Sequence, residues 1–256
     1  MTDEAAVLTE RRDGVMVVTI NRPQMRNAVN AAVADGIAAA MRELEEDPAL
    51  VVGIVTGAGG YFCAGMDLKA FAEGELPWSD GRGFAGITER SPDKPLIAAV
   101  EGFALAGGLE IALSCDLIVA AQGVKLGIPE VKRSLVAAGG GLLRLPRVLP
   151  RAIANELAFT GEPILAERAY ELGMVNRLVA PGETLATALA LAAGIASNGP
   201  LAVRGSKQIL RESMDWPFAE AFERQRAIWE PIFASEDARE GAAAFAQKRA
   251  PVWRGV

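Results

Sequence analysis

In "AVLTERRDGVMVVTINRP", Val15, Val17 and Thr19 alternate with Met16, Val18 and Ile20 after a turn signal at Asp13-Gly14, which predicts two strands joined as a hairpin. The pattern then changes period. Val33, Ile37, Met41 and Leu44 recur at helical spacing behind Asn30, a residue suited to cap a helix, as far as "EEDP". A continuous apolar run, Leu50–Val55, predicts a strand, as do "PLIAAVEG" (95–102) and "DLIVAA" (116–121), with the short helical stretch "GGLEIALSC" between the last two. Strands apolar on both faces and alternating with helices predict a mostly parallel, covered sheet. Beyond "GIPE" the spacing is helical at 139–149, 151–159, 165–172, 183–197, 200–213, 217–234 and 236–248, with one strand-like piece, "MVNRLVA". The chain is sheet-rich first and helical later. No composition break marks a linker, and the helices from about 200 onward are expected to form an appendage to an α/β core.

Length and composition narrow the class. A chain of 256 residues, half of them apolar, can bury one large core. The formal charge is −6, with Lys and Arg scattered, so nucleic-acid binding has little electrostatic support. The start, "MTDEAAVL", is acidic, and no apolar stretch reaches the roughly 20 residues that span a bilayer. The expected location is cytoplasmic, without a membrane partner. Cys63 and Cys115 are the only cysteines and histidine is absent. Those two facts exclude Ser-His-Asp and Cys-His catalysis and the usual zinc sites, leaving carboxylates as the first choice for acid–base work.

The stretch "GAGGYFCAGMDLKA" (57–70) opens like a phosphate-binding loop, but a dinucleotide fingerprint needs a third glycine where Phe62 stands. Its second half carries more chemistry. Ala64 and Gly65 precede a helix start at Asp67, so the N–H groups near Met66 and Asp67 are expected to lack helical partners. The same arrangement recurs in "ALAGGLEIALSC", with Gly107 and Gly108 at a helix head. Two such turns on neighbouring strand ends can converge on one oxygen as an oxyanion hole. Glu110, in the first turn of that helix, and Glu130, closing "KLGIPE", lie close in sequence to these features. Taken alone, Glu110 is better read as a first-turn acid that compensates the helix dipole and Glu130 as an exposed loop carboxylate.

Six segments in order, "NRPQMRNAVN", "TGAGGYFCAGMDLKA", "PLIAAVEGFALAGGLEIALSCDLIVA", "KLGIPEVKRSLVAAGGGLLRLPR", "LGMVNRLV" and "EGAAAFAQKRAPVWRG", resemble the crotonase, or enoyl-CoA hydratase/isomerase, family over nearly the whole chain. The resemblance implies a β-β-α spiral core (1–199) with a C-terminal helical region (200–256) that assembles trimers or dimers of trimers. It implies a thioester carbonyl held by the N–H groups of Met66 and Gly107, with Glu130 as proton donor at Cα and Glu110 orienting and activating water. For the CoA moiety it implies Arg26, Ala28, the Ala64 carbonyl, Asp67 and Leu68, with Phe245 and Lys248 reaching CoA, in some members from a neighbouring subunit. The substrate supplies the CoA, so neither a separate cofactor nor a metal is expected. Three departures stand out: Met66 replaces a commoner small residue, Ala138 stands where hydratases often have glycine, and "AGG" replaces "GGG" at 106–108. The segment 71–91 matches no fixed motif and falls where the acyl pocket is commonly lined. The implied activity is hydration of a 2-trans-enoyl-CoA. The alternatives are an enoyl-CoA isomerase, a carnitinyl-CoA dehydratase-like enzyme, or a non-catalytic acyl-CoA-binding paralogue.

Overall fold

Asp13 and Gly14 both adopt positive φ, 46° and 80°, and this tight turn joins β1 (Val7–Arg12) to β2 (Val15–Ile20). The computed structural model describes residues 5–79 and 81–256. Asn30 caps α1 (Ala31–Glu46), its side-chain oxygen accepting from the Val33 N–H at 3.2 Å. There follow β3 (Val52–Gly57), α2 (Leu68–Ala72), the small hairpin β4 (Trp78–Ser79) and β5 (Gly83–Phe84), β6 (Leu96–Val100), β7 (Phe103–Leu105) and α3 (Gly107–Ser114). Then come β8 (Leu117–Ala121), β9 (Lys125–Gly127), a 3-10 turn over Pro129–Arg133, α4 (Gly141–Val148), α5 (Arg151–Thr160), β10 (Ile164–Leu165), α6 (Ala166–Glu171) and β11 (Arg177–Val179). The chain closes with α7 (Thr184–Ala196), α8 (Pro200–Glu212), α9 (Phe218–Phe233) and α10 (Glu236–Gln247).

The main sheet runs β1-β2-β3-β6-β8-β11; β1 is antiparallel to β2 and every other pair is parallel. Its two faces are both dry. Met16, Val18 and Ile20 point into the larger core with Ile37, Met41 and Leu44 of α1, whereas Val15 and Val17 join Ala188 and Ala192 of α7 on the other face. The period-two alternation of β2 is therefore a division between two cores. A second sheet, β10-β9-β7, stands beside the first and carries the turn into α3.

The strand expected at 50–55 begins later, at Val52. Leu50 is buried, but its N–H is turned back to the Asp47 carbonyl and that of Val51 to Gly14, so the apolar run starts inside the turn after α1. The helical half follows the sequence spacing closely. At Gly199-Pro200 the chain enters α8, which Lys207 fastens to the core by donating to the Lys94 carbonyl at 3.0 Å and to Asp116 at 2.7 Å. Among the described residues no single helix is long and apolar enough to cross a membrane.

Candidate active site

Gly57 and Gly59 of the opening loop are packed against protein. A Cβ on Gly57 would lie 2.1 Å from the Tyr61 carbonyl, and one on Gly59 would lie 2.5 Å from the Pro23 ring. Fully buried Asn27 locks the loop from beneath, donating to the carbonyls of Ala58 and Tyr61 while accepting from the Arg22 N–H. These glycines serve close backbone approach.

The second half of the loop runs parallel to β7. Cys63 and Ala104 form a bridge, Cys63 N–H donates to Phe103 O, and Leu105 N–H donates to Cys63 O. Gly65, at φ +95°, brings the two turns together: a Cβ there would lie 3.0 Å from the Gly107 nitrogen. Gly108 fits as closely, because its Cβ would fall 2.2 Å from the Cys63 carbonyl oxygen. Among the described residues neither the Met66 nor the Gly107 N–H donates to any acceptor. The Asp67 N–H also lacks a helical partner, but it donates to the Val29 carbonyl at 2.8 Å and is spent within the fold. Ala106, ahead of α3, takes φ 52° and ψ −128°, a conformation that favours glycine and strains a residue with a Cβ.

Glu110 lies one turn into α3 with 3% of its surface exposed, facing the turn that begins α4. Its Oε1 accepts from the Gly141 N–H at 2.9 Å, and a Cβ on Gly139 would lie 2.7 Å from its Oε2. Burial pushes its carboxyl above the ordinary value, opposed by the N–H groups of Gly141 and Gly139 and by the charge of Arg144. Glu130 sits in the first turn of the 3-10 segment, and its buried Oε2 has no hydrogen-bond partner in the protein. Burial raises its carboxyl to about 7; its own N–H lowers it, the Glu110 charge adds to the rise and Arg133 opposes it. Two carboxyl groups thus face one space with their proton affinities driven upward.

That space is a cavity of about 400 Å³ lined by both glutamates, by Met66 and Gly107, and by Ala106 and Ala138. Its apolar wall comes from the motif-free segment: Phe71, Leu76, Trp78 and Phe84 all line it, with Trp78 and Phe84 edge-to-face at 5.2 Å. Arg26, Ala64 and Leu68 line it as well. Ala28 is buried beneath, where its carbonyl accepts from Arg22. Asp67 is turned inward to cap α2, accepting from the N–H groups of Lys69 and Ala70, and pairs with Arg22 at 3.0 Å. Burial pushes its carboxyl up, but Arg22 and the two N–H donors outweigh it and hold it below the ordinary value. Phe245 and Lys248 belong to the far end of α10, exposed and away from this cavity.

Sequence reasoning missed Arg22, Asn27, Arg133 and Arg144, whose importance is purely spatial. All four lie inside quoted segments, Arg22 and Asn27 in "NRPQMRNAVN" and Arg133 and Arg144 in "KLGIPEVKRSLVAAGGGLLRLPR", but only the fold shows that Arg133 lines the cavity and Arg144 lies behind Glu110. Among the described residues no group of three or more His, Cys, Asp or Glu side chains is placed to hold a metal ion.

Residues 10–256 match the family model described as enoyl-CoA hydratase/isomerase. A carnitinyl-CoA dehydratase of Salmonella typhi is 43% identical over 253 residues, covering 96% of this chain and 97% of that protein. The crystal structure of an enoyl-CoA hydratase from Mycobacterium marinum superposes with a TM-score of 0.97 at 60% identity, covering 99% of this chain and 100% of the other. A carnitinyl-CoA hydratase structure from Mycobacterium avium matches with a TM-score of 0.80 at 44% identity, over 99% and 100% of the two chains.

Proposed function

Because the chain belongs to the enoyl-CoA hydratase/isomerase family and has the crotonase fold, we propose that it adds water across the double bond of a 2-trans-enoyl-CoA to give a 3-hydroxyacyl-CoA. The observation that carries this reading is one cavity holding Glu110, Glu130 and the unused N–H groups of Met66 and Gly107. Attack of water at Cβ drives electron density onto the thioester oxygen. Two preorganised N–H donors stabilise that enolate, each by about 3 kcal/mol. Glu110, hydrogen-bonded and close to a cation, is suited to act as the ionised base that takes a proton from water. Glu130, unpartnered and raised to about 7, is suited to carry the proton delivered to Cα.

Backbone donation leaves the hole intact with Met66 in place of a smaller residue; its side chain narrows the adjoining cavity. Arg26, Ala64 and Leu68 form the CoA side of the site, and Phe71, Leu76, Trp78 and Phe84 the acyl side. Phe245 and Lys248 act on CoA only in an assembly. The expected trimer, or dimer of trimers, is supported by the exposed Phe218, Phe222, Phe233 and Phe245 of the C-terminal helices.

A second reading, dehydration of carnitinyl-CoA, is favoured by the names of the relatives at 43% and 44% identity. It is the same chemistry run backwards on a 3-hydroxyacyl thioester that carries a quaternary ammonium group. A panel of 2-enoyl-CoA thioesters of differing length, including one with a trimethylammonium at C4, decides between them by loss of enoyl absorbance. No turnover with tight thioester binding would mark a carrier; double-bond migration without hydration would mark an isomerase.

A further inference from the structure

We infer that Arg144 is a positioning residue for Glu110, holding the Gly139–Gly141 turn that grips the carboxylate; this rests on the hydro-lyase reading above. The residue lines no part of the cavity and forms no hydrogen bond with Glu110. Its guanidinium instead folds back over the start of its own helix. Nη1 points to the Gly139 carbonyl at 3.4 Å, and Nη2 donates to the Thr88 carbonyl at 2.5 Å. Gly140 has φ +94°, and a Cβ there would come within 2.2 Å of Arg144 Nη1, so only glycine lets the guanidinium close down on the turn. On the other side of the same turn the Gly141 N–H donates to Glu110 Oε1 at 2.9 Å. The turn is thus clamped between a cation and an anion that do not touch. Through Thr88 the same side chain joins it to the segment that supplies Phe84 to the acyl wall.

Charge gives the clamp a second effect. Facing Glu110 are Arg144 from α4 and Glu130 from the 3-10 turn, with Arg133 beyond Glu130. Cys115, at the end of α3, and Arg147 face the Arg144 guanidinium itself. Burial opposes ionisation of Glu110, and Arg144 is the cation that favours it. A base held ionised, with its lone pairs aimed by two backbone N–H groups, serves water activation; a neutral acid in the same place does not.

The test compares wild type, Arg144→Gln and Arg144→Lys on 2-butenoyl-CoA from about pH 5 to about pH 9, with the Glu110 carboxyl followed by carbon NMR against a Glu110→Gln control. For Arg144→Gln the expected result is a kcat lowered about 10- to 100-fold, KM within about twofold, and the acid limb moved upward. Arg144→Lys keeps the charge without the fork, so the limb stays in place and kcat recovers only in part. Wild-type kcat in either variant, or an unmoved limb and an unmoved Glu110 titration in Arg144→Gln, overturns the inference. If Arg144→Gln does not fold, Arg144→Lys decides by its kcat alone. Absence of turnover in wild type defeats the hydro-lyase reading separately, and the Glu110 titration still decides the role of Arg144.

Discussion

Replacing Glu130 with glutamine should make the protein more stable and nearly inactive, and both effects follow from one buried atom. The Oε2 of Glu130 is buried without a partner, and its proton leaves at about 7 where an ordinary glutamate loses it at 4.5. Between those values the unfolded chain gives up the proton while the folded chain keeps it, so stability falls as pH rises from about 4.5 and levels off above about 7. At about 1.4 kcal/mol per pH unit the interval corresponds to about 3 kcal/mol, of which solvent reaching the half-buried side chain screens part, leaving about 2 kcal/mol. A neutral amide carries no such penalty. Glu130→Gln should therefore match wild type in urea unfolding near pH 4.5 and exceed it by about 2 kcal/mol at pH 8. The same change removes the proton delivered to Cα and should lower kcat for hydration by at least about a hundredfold with little change in KM. In wild type, kcat/KM for hydration should decline as pH rises through about 7, because ionised Glu130 has no proton to give. An equal stability difference at both pH values would refute the account of Glu130 as a carboxyl strained by burial. Unchanged kcat would refute its role as proton donor.

Glu110→Gln should lower hydration by at least about a hundredfold while leaving thioester affinity within a few-fold, measured by steady-state kinetics and calorimetry; retained double-bond migration would favour the isomerase. Gly108→Ala should force the two turns apart, since the added Cβ meets the Cys63 carbonyl at 2.2 Å, and lower both kcat, by about a hundredfold or more, and the melting temperature. Ala106→Gly should do the opposite for stability: relief of strain at φ 52°, less the entropy of a more flexible unfolded chain, leaves a gain of about 1 kcal/mol in urea unfolding. Light scattering should give a mass that is a multiple of three 26.9 kDa subunits, and monomer at micromolar concentration would contradict the expected assembly.

Much of the fold is local in origin, which is why it was legible. Alternation in β2, the Asn30 cap, the Asp13-Gly14 turn and the helical spacing after "GIPE" each express forces acting within a few residues, and each appears in the structure where the pattern put it. Leu50 shows the limit: its apolarity was visible, but whether it began a strand or ended a turn depended on the partners taken by its neighbours' N–H groups. The ordered motifs likewise identified the family, because six separated segments agree only in a related chain. Residue type also restricted the chemistry, since a chain without histidine turns to carboxylates.

Distances across the chain were decided only by the tertiary structure. Asp67, read in sequence as part of the CoA loop with an N–H free of helical partners, donates that N–H to Val29 and pairs its carboxylate with Arg22, 45 residues away. Glu110 and Glu130 are ordinary acids in sequence, and their raised proton affinities arise from burial at one cavity, to which the Glu110 charge adds at Glu130. The acyl wall came from a stretch with no motif, because lining a pocket demands bulk and position but no fixed spacing. Arg144 is a helical arginine until the chain folds its guanidinium over the turn that holds Glu110. Local periodicity is set by backbone geometry and can be read from neighbours, whereas proton affinity, cavity shape and the pairing of distant charges depend on which segments exclude water together.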